Sequence, residues 1–277
     1  MTHSFEITEP QTIDLNTFKT TPPDGLTKGV AREQTSALWA ELEELQELLY
    51  GANQHSLLLI FQGQDAAGKD GGINKLGIGL DALGVKVVSF KVPSTLEREH
   101  DFLWRIHLAA PRLGEVAIFN RSQYEDVGVV RVNQLVPEEI WRARYEQIND
   151  FEAMLAANRT IICKFWLHIS ADEQRERLLA REEEPEKAWK LNPSDWEERS
   201  RWDDYMAAYS EAIGRCAAPH APWYVIPADK KWYRDLAVAH TVVEHLRPYA
   251  EGWRASLAEL GETQRAALAA YRAEHST

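Results

Sequence analysis

Cysteine is scarce in this 277-residue chain, occurring only as Cys163 and Cys216. Cys163 lies in an apolar, strand-like run, so the pair read as small buried hydrophobes or bystanders rather than a disulfide or a metal site. Long apolar runs are missing as well. No stretch approaches the ~18 apolar residues of a membrane span, and the N-terminus, MTHSFEITEPQTIDL, has neither the basic nor the apolar region of a signal peptide. A cytoplasmic protein without a membrane partner is expected. Net positive charge is also lacking: the formal charge of −12 argues against general nucleic-acid binding, which carries a basic footprint. It does not exclude a polyphosphate or nucleotide substrate, because folding can gather basic residues in one cleft. Finally, there is no Cys/His cluster. His100 and His107 stand seven apart on an expected helix and read as packing or surface residues.

What the chain does have is centred on residues 56–73, SLLLIFQGQDAAGKDGGI. An apolar run reads as a buried strand and breaks into Gly63-Gln64-Asp65-Ala66-Ala67-Gly68-Lys69, which opens a helix. Strand, G-x-x-x-x-G-K loop and helix together form a phosphate cradle. Loop amides around Gly63, Ala66, Ala67 and Gly68 turn inward, the helix presents its positive end, and Lys69 adds a mobile charge. Where a nucleotide-hydrolysing loop carries a Mg²⁺-binding Ser or Thr, this one has Asp70, and Asp65 lies within the loop. Bare carboxylates repel phosphate, so at least one is expected to hold Mg²⁺, which favours carboxylates together with substrate phosphates. Asp65 is the stronger candidate. Asp70 reads equally as a first-turn residue favoured by the helix dipole.

The length suits one elaborated domain or two small ones. Residues 1–28, with Pro10, Pro22, Pro23 and Gly25, read as an extended arm wrapping the surface. Leu38, Leu42, Leu45 and Leu49 mark an amphipathic helix over residues 30–50, packed on the core or a partner. The cradle helix is expected over 69–83, ending at Gly84, followed by a strand at 85–91. Thr95 is expected to cap a helix through Phe102 and Ile106. A strand at 115–120 delivers Asn120, Arg121, Tyr124, Glu125 and Asp126 into a loop. A helix from Pro137, a strand at 160–169 and a helix opening with Ser170-x-x-Glu173 come next. Beyond the charged run after it, a helix at 196–216, a strand at 223–228, a helix at 232–246 and a helical tail over 249–277 complete the chain. Alternating strands and helices imply an α/β fold with a parallel, doubly wound sheet whose ligands lie beyond the carboxyl ends of the strands.

Arg121 follows directly from a strand end. It either faces the phosphate site, where a planar guanidinium suits a transferring phosphoryl group, or forms a surface ion pair with Glu125 or Asp126. Neutral Asn120 stands where hydrolysing P-loop proteins carry a metal-binding Asp, which shifts the metal onto Asp65, with Glu125 as a second candidate. An amide there can bind phosphate oxygens without imposing charge, and Glu125 and Arg131 are candidates for setting how deeply an acceptor sits. Arg177, Arg181, Lys187 and Lys190 either close over phosphates as a lid or belong to a solvated face whose charge is nearly cancelled by neighbouring glutamates.

The blocks GQDAAGKDGGI, PSTLEREHDFLWRIHLAAP, IFNRSQYEDVGVVRV, HISADEQRERLLAR, EKAWKLNPSDW and APWYVIPADKKWYRDLAV, in this order over residues 30–248, resemble the polyphosphate kinase type 2 family. The resemblance implies a P-loop kinase-like three-layer αβα fold with a helical lid, Mg²⁺, and transfer of the terminal phosphoryl group of inorganic polyphosphate to a nucleotide. It divides the chain into an arm (1–28), a kinase domain (29–248) with its lid at about 177–195, and a tail (249–277). Asp65 and Lys69 match the family's catalytic loop, Arg121 its strand-end arginine, and the segment from Arg177 to Lys190 its lid. The NRSxYED form is similar to that of the subgroup acting on both AMP and ADP, giving ADP and ATP. A homo-oligomer is expected.

Overall fold

The computed structural model describes residues 3–184 and 191–275. Chain order runs β1 (Phe5–Ile7), α1 (Lys28–Ala52), β2 (Ser56–Gln62), α2 (Lys69–Leu76), β3 (Val85–Ser89), α3 (Thr95–Arg98), α4 (Trp104–Ala109), β4 (Val116–Asn120), α5 (Val129–Val132) and α6 (Glu138–Ala157). It continues through β5 (Thr160–His168), α7 (Ala171–Glu183), α8 (Pro193–Ser200), α9 (Trp202–Arg215), β6 (Trp223–Pro227) and α10 (Lys231–His275). The strands form one sheet in the order β1-β6-β5-β2-β4-β3, parallel throughout except where β1 pairs antiparallel with β6.

Every residue of β2 is buried, as a central strand covered on both faces must be. Alternate side chains go to opposite layers. Leu58 and Ile60 join Ile148, Trp166, Tyr209 and Trp223 under α6 and α9, while Leu57, Leu59 and Phe61 join Leu45, Leu49, Val242 and Leu246 under α1 and α10. The result is the expected three-layer αβα arrangement. Because β2 lies between β4 and β5, the chain leaves it toward β3 on one side and later toward β5 on the other. The crevice at the carboxyl ends of β2 and β4 is therefore the topological switch point.

Several expected elements differ. The arm is not merely a wrap, since Phe5–Ile7 becomes the sheet's antiparallel edge strand. The cradle helix stops at Leu76 and gives way to a 3-10 turn, Gly77–Gly79, well short of Leu83. Four glycines between 71 and 79 weaken the helix, and Gly79 is needed where it is, because a Cβ there would lie 2.9 Å from the Trp39 backbone. Ser94, not Thr95, is the cap, in a full capping box with Glu97. The helix beyond is broken into α3 and α4, where the Asp101 carboxylate accepts from the Leu103 amide at 3.0 Å and starts a new turn. The helix expected at 196–216 is divided at Arg201 into α8 and α9. From Lys231 to His275 one helix runs without interruption through Pro248, so residue 249 falls inside it. Among the described residues no helix is long and apolar enough to cross a membrane.

Candidate active site

The crevice at the switch point is a cavity of about 720 Å³. Its lining contains seven Lys and Arg side chains, among them Lys69, Lys91, Arg121 and Lys231, against two carboxylates, Asp65 and Asp70. A chain with a formal charge of −12 thus concentrates positive charge at one place.

The loop after β2 is shaped by left-handed residues: Ala66 at φ 61° and Gly68 at φ 98°. Gly68 cannot be replaced cheaply, since at φ 98° a side chain is strained, and Arg234 Nη1, 2.4 Å from where a Cβ would stand, would have to shift as well. Two arginines that also line the cavity hold the loop by its carbonyls. Arg234 of α10 donates to the Gly68 carbonyl at 3.0 Å, and Arg177 of α7 donates to the carbonyls of Ala66 and Ala67 at 2.9 Å each. These bonds satisfy the loop carbonyls; of the positions expected to cradle phosphate, Ala66 and Gly68 line the cavity, whereas Gly63 and Ala67 do not and the Ala67 amide donates to the Gln64 carbonyl at 3.1 Å.

Lys69 Nζ donates to the carbonyls of Gly63 (2.7 Å) and Gln64 (3.2 Å). Burial, reinforced by nearby Arg121, lowers its pKa to about 8 despite the opposing pull of Asp65, Glu125 and Asp70. Asp70 Oδ1 accepts from Asn120 Nδ2 at 2.8 Å, so the cradle helix and the β4 end are tied directly.

Arg121 has φ 65°, a strained conformation for a residue with a side chain. Its amide donates to the Phe61 carbonyl at 3.0 Å, which puts the ends of β2 and β4 side by side. The two readings of Arg121 merge: it lines the cavity and is also ion-paired, with Asp65 at 2.8 Å and Glu125 at 2.9 Å, and Asp126 is not its partner. Glu125 also accepts from Gln62 Nε2 (2.9 Å) and the Tyr209 hydroxyl (3.2 Å), which fixes the fork that aims Arg121. Asp126 is bound instead to Arg144 at 3.0 Å, and burial pushes its carboxyl up to about 6.

Asp65 meets a second carboxyl, Glu198 of α8. Burial works to raise the pKa of Asp65, but Lys69, the hydrogen bond with Glu198 and Arg121 together hold it below the usual range. Burial, then the hydrogen bond to Asp65 and its charge, push Glu198 up to about 8. Two carboxyls that share a proton at neutral pH are where a divalent cation can replace that proton, so the donor chemistry fits Mg²⁺. Among the described residues no group of three or more His, Cys, Asp and Glu is arranged to hold a metal. A cation here would complete its shell with substrate oxygens and water.

Two expected contacts fall elsewhere. Arg131 does not line this cavity; it is engaged with Glu211 at 2.6 Å, the Tyr145 hydroxyl at 3.2 Å and the Trp141 ring at 4.6 Å. Arg177, expected in the lid, lines the cavity, but its guanidinium is committed to the cradle carbonyls, those of Ala228 and Asp229, and Glu173. Arg181 lines the cavity and pairs with Asp195 at 2.8 Å. Lys187 and Lys190 lie outside the described residues. Sequence reasoning missed Arg234, Lys231, Glu198 and Tyr209. The strand-end rule applied to β6 points to the first two, which lie in the opening turn of the helix after it. Glu198 and Tyr209 carry no such signal.

The family model described as Polyphosphate kinase 2 matches residues 25–251. The AMP/ADP-polyphosphate phosphotransferase of Meiothermus ruber is 52% identical over 219 residues, covering 79% of this chain and 82% of that protein. The ADP-polyphosphate phosphotransferase of Rhodopseudomonas palustris is 43% identical over 256 residues, covering 88% and 89%. Among solved structures, the crystal structure of polyphosphate kinase 2 from Arthrobacter aurescens superposes with a TM-score of 0.83 at 40% identity, covering 87% of this chain and 88% of that one.

Proposed function

The chain belongs to the polyphosphate kinase 2 family, and on that premise we propose that it transfers the terminal phosphoryl group of inorganic polyphosphate to AMP and to ADP, making ADP and ATP. The observation that carries this reading is the gathering of Lys69 and Arg121, from adjacent strand ends, in a strongly cationic cleft of an acidic protein. Phosphoryl transfer depends on alignment and charge neutralisation more than on covalent chemistry. Lys69 and the inward loop amides bind phosphates flanking the bond that breaks. Arg121, aimed by Glu125, stabilises the charge of the transferring group. Arg181 binds the polyphosphate chain, with Lys187 and Lys190 assigned the same role. Mg²⁺ held by Asp65 would neutralise phosphate oxygens during transfer. The acceptor phosphate is already ionised at neutral pH, so the reaction needs no strong general base.

Both acceptors use one site if the nucleotide can sit at two depths, and neutral Asn120 at the β4 end favours this. A carboxylate there would stand against Asp70, whose Oδ1 is 2.8 Å from Asn120 Nδ2, and would repel an acceptor phosphate. With Mg²⁺ and AMP, polyphosphate as sole donor should give rapid product and ATP as sole donor little. Asn120→Asp should change the ratio of AMP to ADP activity more than it changes Tm. Preference for ATP as donor would replace this reading with that of a nucleoside monophosphate kinase, and equal scaling of both activities in Asn120→Asp would remove the two-depth mechanism.

A further inference from the structure

Behind the turn of residues 123–126 lies a polar cluster sealed from solvent. Lys164 of β5 and Glu152 of α6 have side-chain exposures of 0% and 1% and meet at 2.5 Å. Lys164 also donates to the Tyr124 hydroxyl (2.9 Å) and the Cys216 carbonyl (2.6 Å), so all three ammonium hydrogens are used. Glu152 Oε1 accepts from the Tyr124 hydroxyl at 2.8 Å and from Gln123 Nε2 at 2.9 Å. The rings of Trp223 and Tyr124 flank the ammonium at 5.2 and 5.4 Å.

An ion pair is an expensive way to fill a core, because apolar residues of similar volume commonly leave a protein as stable or more so. What the pair adds is direction. Glu152 grips two consecutive residues, Gln123 and Tyr124, and the next residue is Glu125, the carboxylate that aims Arg121. The strained backbone of Arg121 lies one residue, Ser122, before this turn, and such a conformation persists only where its surroundings over-determine it.

We propose that Lys164, Glu152 and Tyr124 are positioning residues for phosphoryl transfer: together they lock the turn so that Glu125 presents Arg121 to the transferring group. The proposal rests on the role given to Arg121 above. Its reach is through geometry alone, since none of the three touches substrate.

The test uses two variants that leave no charge stranded. Tyr124→Phe keeps the ring and removes the hydroxyl, while Lys164→Met combined with Glu152→Leu removes the pair together. Each should lower kcat about tenfold or more, the cost of a small misplacement at the reacting centre. The KM for polyphosphate should stay within about twofold, since its binding groups are elsewhere. Placed in an Arg121→Ala background, Tyr124→Phe should cost nothing further, because its effect runs through Arg121. Full activity in folded Tyr124→Phe beside an inactive Arg121→Ala overturns the proposal alone, as does an equal loss from Tyr124→Phe in both backgrounds. A fully active Arg121→Ala overturns the role of Arg121 and the proposal with it.

Discussion

Lys69 combines two properties that pull against each other: it must be charged to hold phosphate, yet its burial favours the neutral form. With its pKa lowered to about 8, the charged lysine is present below that pH and is lost above it. Affinity for polyphosphate should therefore fall as pH rises through about 8, by up to about tenfold per unit. Stability in the absence of phosphate should run the other way. A depressed lysine contributes stability that is fully present above its unfolded value of about 10.4 and lost as pH falls through the folded value. Lys69→Met should flatten both profiles, as binding and thermal-melting titrations between pH 7 and 10 will show. Lys69→Ala and Asp65→Ala should each reduce transfer by about a hundredfold or more, as removing a preorganised charge from such a site does. At this scale the sequence was informative wherever a residue belonged to a contiguous motif. Lys69, Asp65 and Arg121 were readable because a loop or strand end names them. Glu198 and Tyr209 were not, because they reach the site across the layers from helices whose own pattern is only amphipathic. Arg131 was placed by proximity in sequence to a strand end, but a guanidinium on a short helix found Glu211 and Trp141 first.

At the scale of elements, the phosphate loop is held as much by its neighbours as by its own glycines. Arg177 spans α7, the cradle and the end of β6, with hydrogen bonds to the carbonyls of Ala66, Ala67, Ala228 and Asp229. Arg177→Ala should therefore cost about 2–3 kcal/mol of stability, because it strands several carbonyls that are now satisfied. It should impair donor and acceptor kinetics alike. Arg181, which pairs with the Asp195 carboxylate and is not bonded to the loop carbonyls as Arg177 is, should behave differently. Arg181→Ala is expected to raise the KM for polyphosphate more than that for nucleotide, with a defect that changes as salt screens the remaining charges. Melting curves and both apparent constants at two ionic strengths separate the cases; a selective donor defect in Arg177→Ala would contradict the clamp. The same scale shows why element boundaries were misread. The 3.6-residue pattern continues past Leu76 and past Arg98, but packing of Gly79 on Trp39 and the turn at Asp101 are tertiary and side-chain events that periodicity does not encode.

Across the whole molecule, the sheet order puts β2 beside both β4 and β5, and this juxtaposition brings the cradle and the Arg121 loop into one crevice. Alternating strands and helices made the α/β class and the strand-end location of the site readable. They did not reveal that residues 5–7 would return to close the far edge of the sheet, because three residues of arm carry no strand signal until Trp223 and Val225 offer them a partner. Nor does a charge of −12 disclose a cleft lined by seven cationic side chains and two carboxylates; only the fold sorts the signs. The measurement that bears most directly on this account is a time course of purified protein with Mg²⁺, inorganic polyphosphate and AMP, with nucleotides separated at each point. ADP should appear first and ATP should follow from it without a second kinase, with both absent in Lys69→Ala. Failure of wild type to form any nucleotide product from polyphosphate, or undiminished formation by Lys69→Ala, would contradict it.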